Sequence, residues 1–571
     1  MTGTDGDLAP TRAPEPPKPD ATNGTWIGAG IVLVVAAAVV LHAGRGVTFL
    51  IDEWQWIQSR TSPSTTSLLE PFHDHWMTVP IAIHQGLYRT FGIASHLPYR
   101  AVLLAAHLAA AFLLFCYLRT RLRPWIALAA MTLFALYGYT AAIIVWPISL
   151  GWAIAVACAI GALLLVDHRR SSSDLGAAAL LLVAVASTTI AVPFAIGLAV
   201  EMTMRRAWRR LWVPLAPLTI YGVWFLAYSG AGSEGSGTAR QAVRFAQELL
   251  AQTVGTLLGI QDRGAAADTT LVIVIGALLV AWFALGRPIT PRLVGNATAL
   301  AVLTVALAVG RSGSGLTTWF SYAVAASLLL TVGELFAQAH APRRTGTTRA
   351  VTIAVWVVVI WAVVWNFGEL ERITDGFRRI SAVERSQLAA LALIQDDVPA
   401  GFEPGPLLQT VTAGRFTDVA REYGSPAYTV AETHASSPSV RAAADETLVR
   451  GLDVKPHASA PTGVERPAGR VTVRSGDTAD DTPGDTCMVV RAGDTGDAVV
   501  DVRGPDLAVL VDAQSGTASL RAGVFAPASQ AIGTVAPGDT VVVTAPPVPG
   551  AGDWTLRVRS RGALRLCAPP G

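Results

Sequence analysis

Lysine is almost absent from this 571-residue chain, with only Lys18 and Lys455, so nearly all of its basic residues are arginine. That bias looks like the mark of a GC-rich genome and says nothing about mechanism. Charge of either sign is also sparse, at 15% of residues against about 25% in ordinary soluble domains. The four cysteines form no C-x-x-C pair and join no His/Cys cluster of zinc spacing, so a zinc-stapled module is not indicated. No Walker loop and no GxGxxG in a strand-helix context is present, which argues against a nucleotide-driven mechanism. The arginines are scattered over loops rather than interleaved with aromatics, so nucleic acid is an unlikely partner. What the chain has in excess is apolar: 52% hydrophobic residues and a mean hydropathy of +0.45. A soluble protein of this size would have too little polar surface to cover itself, and the lipid bilayer is the expected surrounding.

The apolar residues are unevenly spread. Residues 1–24 are rich in Pro, Asp and Thr and are expected to form a disordered cytoplasmic tail. Residues 25–366 contain the long apolar segments, and 367–571 contain none long enough to span. Charge follows this division, with 19 basic and 25 acidic side chains after Asn366 and 24 and 16 before it. Crossing a hydrocarbon core takes about 20 apolar residues in a helix. Eleven candidate spans emerge: Trp26–Gly44, Ala101–Leu118, Trp125–Val145, Ile148–Val166, Leu175–Ser187, Thr189–Met202, Leu211–Tyr228, Thr270–Leu285, Leu293–Val309, Thr318–Phe336 and Val351–Trp365. The pair around Ser187–Thr189 reads as one long helix or as two short ones meeting in a hairpin. Arginines gather at 119–123, 169–170, 205–210, 287–292 and 343–349, in alternate loops. The positive-inside rule makes those loops cytoplasmic. The N-terminus is then inside, and residues 45–100, 229–269 and the whole region after 366 are outside. Taking the Ser187 pair as one span would put the Arg205–Arg210 cluster outside, so charge favours two.

In the tail, Asp375–Asp397 carries apolar residues at helical spacing and is expected to be an amphipathic helix, followed by a mixed segment and a linker over Gly451–Asp485. From 486 to 571 short apolar runs alternate with Gly, Pro and Asp turns, the pattern of an antiparallel β-sandwich. Cys487 and Cys567 flank that segment and read as a disulfide joining its first strand to its last. Cys116 and Cys158 lie within apolar spans as small buried hydrophobes. The module is equally readable as a glycan-binding surface or as a cap.

Chemistry concentrates in the first outside loop, which reads FLIDEWQWIQSR and then LEPFHDHWMTVP. Asp52 and Glu53 follow directly on apolar residues at the outer boundary, where acidic groups are costly and are functional candidates. Trp54, Trp56 and Trp76 offer faces for a sugar or prenyl chain, or form an interfacial aromatic belt. His73, Asp74 and His75 add titratable groups. Farther on, Arg311 stands at an outer span end, and Arg240, Arg244 and Arg263 lie in the 229–269 loop. Gln241–Ile260 repeats apolar residues at helical spacing, as a lid on the membrane or as core.

An N-in chain with about eleven spans, the DEW triplet Asp52–Trp54 after the first, HDHW at His73–Trp76 and an outside C-terminal module resembles the GT-C superfamily of glycosyltransferases. That superfamily includes polyprenyl-phosphate-sugar-dependent mannosyl- and arabinofuranosyltransferases of actinobacterial envelopes. The resemblance covers about residues 26–366 in architecture. It implies a polytopic α-helical fold and a polyprenyl-phosphate sugar donor in the bilayer, with transfer to an envelope glycan or glycoconjugate at the outer face. It also implies an acidic general base, Asp52 with Glu53 as helper or alternative. The segment RSGSGLTTWFSY, Arg311–Tyr322, echoes a region where related proteins carry an Arg-Tyr pair; here Ser321–Tyr322 stands instead, leaving a phosphate role to Arg311. The donor set would also admit a divalent metal, but its spacing matches no specific cage, and no cofactor is required.

Two other classes fit the composition: a transporter or flippase, for which His107 would be the mid-span polar group, and a non-catalytic envelope-assembly protein acting through its tail. The topology yields one direct prediction. A cysteine placed in the Arg205–Arg210 loop should resist a membrane-impermeant thiol reagent applied from outside, and labelling there would overturn the span count.

Overall fold

A computed structural model of the chain describes residues 20–61, 64–168, 170–228, 237–260, 264–284, 289–313, 315–337, 345–458, 470–479, 487–493 and 496–567. Residues 1–19, Arg263 and parts of the expected linker lie outside the described residues. The first helix, Asp20–Ala43, begins within the expected tail. A helix coincides with every expected span, although several are short. Among the described residues six are long and apolar enough to cross a membrane, and five more apolar helices are shorter. Their outward faces carry Ile27, Val34, Val223, Leu226, Ile360 and Val364 in exposed positions, the surface expected of helices surrounded by hydrocarbon rather than water.

Two breaks in the helical body have identifiable causes. The third expected span divides into Pro124–Ala135, a 3-10 turn at Gly138–Thr140 and Ala141–Val145. At Gly138 the backbone of the last long helix comes so close that a Cβ would stand 1.9 Å from the Asn366 carbonyl oxygen. The Asn366 side chain accepts a hydrogen bond from the Tyr139 amide at 3.0 Å, replacing a helical partner lost at the break. The second break separates Ser171–Val185 from Val192–Met204. These two helices bend apart instead of pairing as a hairpin: Ser171–Val185 packs on Leu150–Asp167 and Trp212–Tyr228, and Val192–Met204 packs on Pro291–Arg311.

Ion pairs show which helix ends lie together. Arg292 binds Glu201 at 2.7 Å and Asp167 at 2.5 Å, Arg121 binds Asp167 at 2.7 Å and also Glu334, and Arg205 binds Glu201 at 2.8 Å. Arg210 binds Asp174. Asp174 opens one of the two helices around the second break and Glu201 is near the end of the other, so the chain leaves this end after Ser171 and is back at it by Met204. The arginines of three expected inside loops, 119–123, 205–210 and 287–292, therefore share one end of the helical body. Such charges are held by partners, since a lone charge at this depth would be strongly unfavourable.

The last span does not stop at the expected boundary. No proline occurs between Thr345 and Ile394, and a single 50-residue helix runs through both the span and the expected amphipathic segment. Beyond it, Ala413–Tyr423 packs against helices Asp52–Ser59 and Thr78–Phe91, and Pro438–Gly451 lies along the long helix.

The C-terminal module consists of two antiparallel sheets around one apolar core. Its strands are β1 (Pro456–Ala458), β2 (Arg470–Ser475), β3 (Asp477–Ala479), β4 (Met488–Arg491), β5 (Ala498–Gly504), β6 (Leu507–Ala513), β7 (Ala518–Gly523), β8 (Gln530–Val535), β9 (Thr540–Ala545), β10 (Trp554–Ser560) and β11 (Leu564–Cys567). One sheet has the order β1-β9-β6-β11-β4-β3 and the other β2-β5-β10-β7-β8. Strands β1 to β3 come from the segment expected to be a linker. A disulfide joins Cys487 to Cys567, which flank the neighbouring strands β4 and β11. Phe525 and Trp554, the only Phe, Tyr or Trp residues after Gly451, are both buried.

Asp445 fastens this module to the rest. Fully buried on helix Pro438–Gly451, it accepts hydrogen bonds from the Val524, Phe525 and Ala526 amides, each at 2.8 Å, and from the Ser529 hydroxyl at 2.8 Å. Burial pushes its carboxyl up from the usual aspartate range, and those four donors pull against the shift. Replacing Asp445 by alanine strands three buried amides, and a loss of about 3 kcal/mol is expected. Earlier thermal unfolding of the tail, with protease sensitivity appearing between β7 and β8, would be the measurable outcome.

Candidate functional site

At the end of the body opposite the arginine network, the chain emerges from the first helix and turns back as a short helix, Asp52–Ser59. The residue before it, Ile51, has φ 33° and ψ −91°, a conformation that a β-branched side chain adopts only under constraint. The two acidic residues that follow have opposite environments. Glu53 is sealed, at 1% exposure. Its Oε2 accepts from the Leu50 amide at 3.0 Å and from the Trp146 indole at 2.9 Å, and its Oε1 meets His96 Nε2 at 3.1 Å. With both oxygens engaged, Glu53 is unable to reach an external hydroxyl, and its role as helper or alternative base does not fit. Asp52 keeps 24% of its side chain exposed, and its Oδ2 lies 3.9 Å from His73 Nε2.

His73 and Asp74 form the tip of a two-residue turn. The Phe72 amide donates to the His75 carbonyl at 3.1 Å and the His75 amide to the Phe72 carbonyl at 3.0 Å, while φ is 46° at His73 and 65° at Asp74. Positive φ at both central residues marks the tight turn usually built from Asn-Gly. Here side chains occupy those positions, and they face two places. His73 stands beside Asp52, whereas Asp74 and His75 line a cavity of about 320 Å³. Arg311, at the end of helix Pro291–Arg311, lines the same mouth and donates to the His73 carbonyl at 3.5 Å. His75 is paired through Nδ1 with the Thr189 hydroxyl. Burial, with the positive charges of Arg311 and His73, pushes its imidazole down to about 4, so His75 is neutral at physiological pH. Deeper in, the walls are apolar, formed by Trp152, Ile190, Val302, Leu303, Leu307 and Phe320.

The tryptophans are placed otherwise than the sequence suggests. Trp54 is fully buried against Phe49 and Phe416, and Trp56 is buried against Phe72 and His84. Trp76 stacks on Trp224 with centroids 5.4 Å apart and donates to the Thr78 hydroxyl. All three build the loop, and neither the substrate-stacking reading nor the interfacial-belt reading describes them. Arg244 pairs with Glu248 on an exposed helix face, and Arg240 is exposed on the same helix. That helix, Ala239–Leu257, buries its C-terminal half in the body, which is core packing over that half. His107 bonds the Tyr322 hydroxyl at 3.0 Å and the Ala135 carbonyl at 3.1 Å, a packing arrangement. Among the described residues, no three His, Cys, Asp or Glu side chains stand together as a metal-holding group.

Several contributors escape a sequence reading. Arg60 is buried and donates to the carbonyls of Ser67, Glu70 and Pro71, holding the segment that leads to the turn. Thr189, His96 and Trp146 are unremarkable in sequence. Glu384, however, lies on the apolar face formed by Ile380, Leu388 and Leu391, where an acidic residue is out of pattern.

No protein-family model and no curated protein sequence matches the chain. Among solved structures it is similar to ArnT from Cupriavidus metallidurans. Against the form bound to undecaprenyl phosphate, identity is 13% and the TM-score 0.42, covering 71% of this chain and 89% of that one. Against the apo form, identity is 12% and the TM-score 0.45, covering 73% and 91%. Neither score reaches 0.5, so the likeness decides neither fold nor chemistry.

The contrast between the two carboxylates is directly measurable. Glu53→Ala leaves a buried histidine, indole and amide without their acceptor and should destabilise the detergent-solubilised protein by about 3 kcal/mol or more. Asp52→Asn should change thermal stability by no more than about 0.5 kcal/mol.

Proposed function

We propose that the chain is a membrane glycosyltransferase that moves a sugar from a polyprenyl-phosphate carrier to a glycan or glycoconjugate at the outer face of the membrane, with Asp52 as general base. The observation that carries this reading is the cavity. Its volume lies in the range of small-ligand sites, its walls are apolar where a prenyl chain would lie, and its mouth holds Arg311, Asp74 and His75. One turn separates that mouth from the partly exposed carboxylate of Asp52. The arginine-rich loops occupy the opposite end, and by the positive-inside rule that end is cytoplasmic, which leaves the cavity mouth at the outer surface.

In this reading the phosphate sits at the mouth near Arg311, whose guanidinium takes up the charge that grows as the phosphate leaves. Asp52 accepts the proton of an incoming hydroxyl, the new oxygen bonds to the anomeric carbon, and the carbon–oxygen bond to the phosphate breaks. His75, uncharged, adds no competing cation and is held by Thr189 as part of the wall. His73 stands beside the base, its Nε2 3.9 Å from Asp52 Oδ2.

The test is transfer from a synthetic polyprenyl-phospho-sugar in proteoliposomes. Asp52→Asn is expected to reduce turnover by at least about a hundredfold with the protein folded and inserted, and Arg311→Ala to weaken donor use. Wild-type turnover by Asp52→Asn would remove the base assignment.

A further inference from the structure

The segment that aims Asp52 is held from a distance. Between the end of the first helix and Asp52, residues 44–51 have no regular structure beyond one turn, and their backbone is fastened to the long helix Thr345–Ile394. Arg378 Nη1 donates to the Ala43 carbonyl at 3.2 Å, the Thr48 amide donates to Ser381 Oγ at 3.0 Å, and the Ile51 amide donates to Glu384 Oε1 at 3.4 Å. Arg378, Ser381 and Glu384 succeed one another at intervals of three, so one helix face meets the end of the first helix once and the irregular segment twice. Leu388 and Leu391 continue that face into the cluster that buries Phe49 and Trp54. Ser381 and Glu384 are fully buried. The last of the three contacts falls on Ile51, the residue with strained backbone directly before the base.

We infer that Glu384, supported by Ser381, is a positioning residue for Asp52. The extended part of the last long helix fixes the φ of Ile51 and through it the direction in which the Asp52 carboxylate leaves the backbone. A left-handed isoleucine costs about 1–3 kcal/mol and persists only where its surroundings over-determine it; the Glu384 contact at Ile51 and the Glu53 contact at Leu50 supply that on the two successive amides. Burial pushes the Glu384 carboxyl well above the ordinary glutamate range, against the Ile51 amide and the Trp54 indole, which favour its ionised form. A neutral acid at this place still accepts from Ile51, and glutamine is a close mimic of it. The inference rests on the reading of Asp52 as base, and its test has one arm that does not.

In full-length protein, Glu384→Ala is expected to lower kcat about tenfold or more while KM for the lipid-linked donor stays within about twofold, because misaimed chemistry rather than binding is lost. Glu384→Gln, which keeps the acceptor, should restore kcat to within about threefold. Independently of activity, amide exchange in a peptide covering residues 45–55 should be faster in Glu384→Ala and unchanged in Glu384→Gln. Wild-type exchange in Glu384→Ala, or equally fast exchange in both variants, overturns the inference. Activity retained by Asp52→Asn would defeat the base assignment and leave the exchange result to decide on Glu384. If Glu384→Ala does not fold, Glu384→Asp, whose shorter side chain withdraws the acceptor from the Ile51 amide, is read in the same way.

Discussion

Everything at the Asp52 end of the helical body depends on one buried carboxylate. Glu53 receives an amide from its own turn, an indole from Trp146 after helix Ala141–Val145 and an imidazole from His96 at the start of helix Leu97–Arg119. A carboxylate taken out of water is tolerable only when its lone pairs are matched, and here the matching donors come from three separate places in the chain. The same set of bonds decides which of two adjacent acids turns inward, and it leaves Asp52 facing out. The irregular segment, the strained Ile51 and the hairpin turn at His73–Asp74 are arranged around that choice.

The helical body was legible in broad outline because apolar length is a local property. Even the separation of Ser171–Val185 from Val192–Met204 could be argued from where arginines fall. The continuity of the last helix was less visible: a fall in hydropathy after Asn366 looks like an ending, although helix propensity, with no proline before Pro399, runs straight through it. The strands β1 to β3 were hidden by composition, since Pro, Gly, Thr and Asp surround them, yet β2 reads RVTVRS and alternates cleanly.

At the site, position was legible and orientation was not. Asp52, His73, Asp74, His75 and Arg311 were all in the sequence reading, and the structure gathers them at one end. Two neighbouring acids on a helix differ by about 100° in direction, and no pattern within two residues tells which faces inward. His96 and Trp146 decide it from 43 and 93 residues away. The tryptophans show the same limit. Trp54 and Trp56 would suit a binding surface or an interior equally well, and it was Phe416, far along the tail, and His84 that claimed them.

The sheet order of the C-terminal module carries a consequence for how the protein is made. Strand β11 is the last in chain order of the eleven strands among the described residues, but it lies in the interior of its sheet, between β6 and β4. During synthesis β4 and β6 emerge long before the strand that must separate them. They cannot pair with each other without excluding it, and they stay open-edged until residues 564–567 arrive. Exposed edges of this kind invite wrong pairing, and the Cys487–Cys567 bond closes only when that late strand is in place. Oxidation therefore acts as a seal on a finished sheet, and the module's assembly follows translation of its final strand rather than accompanying it.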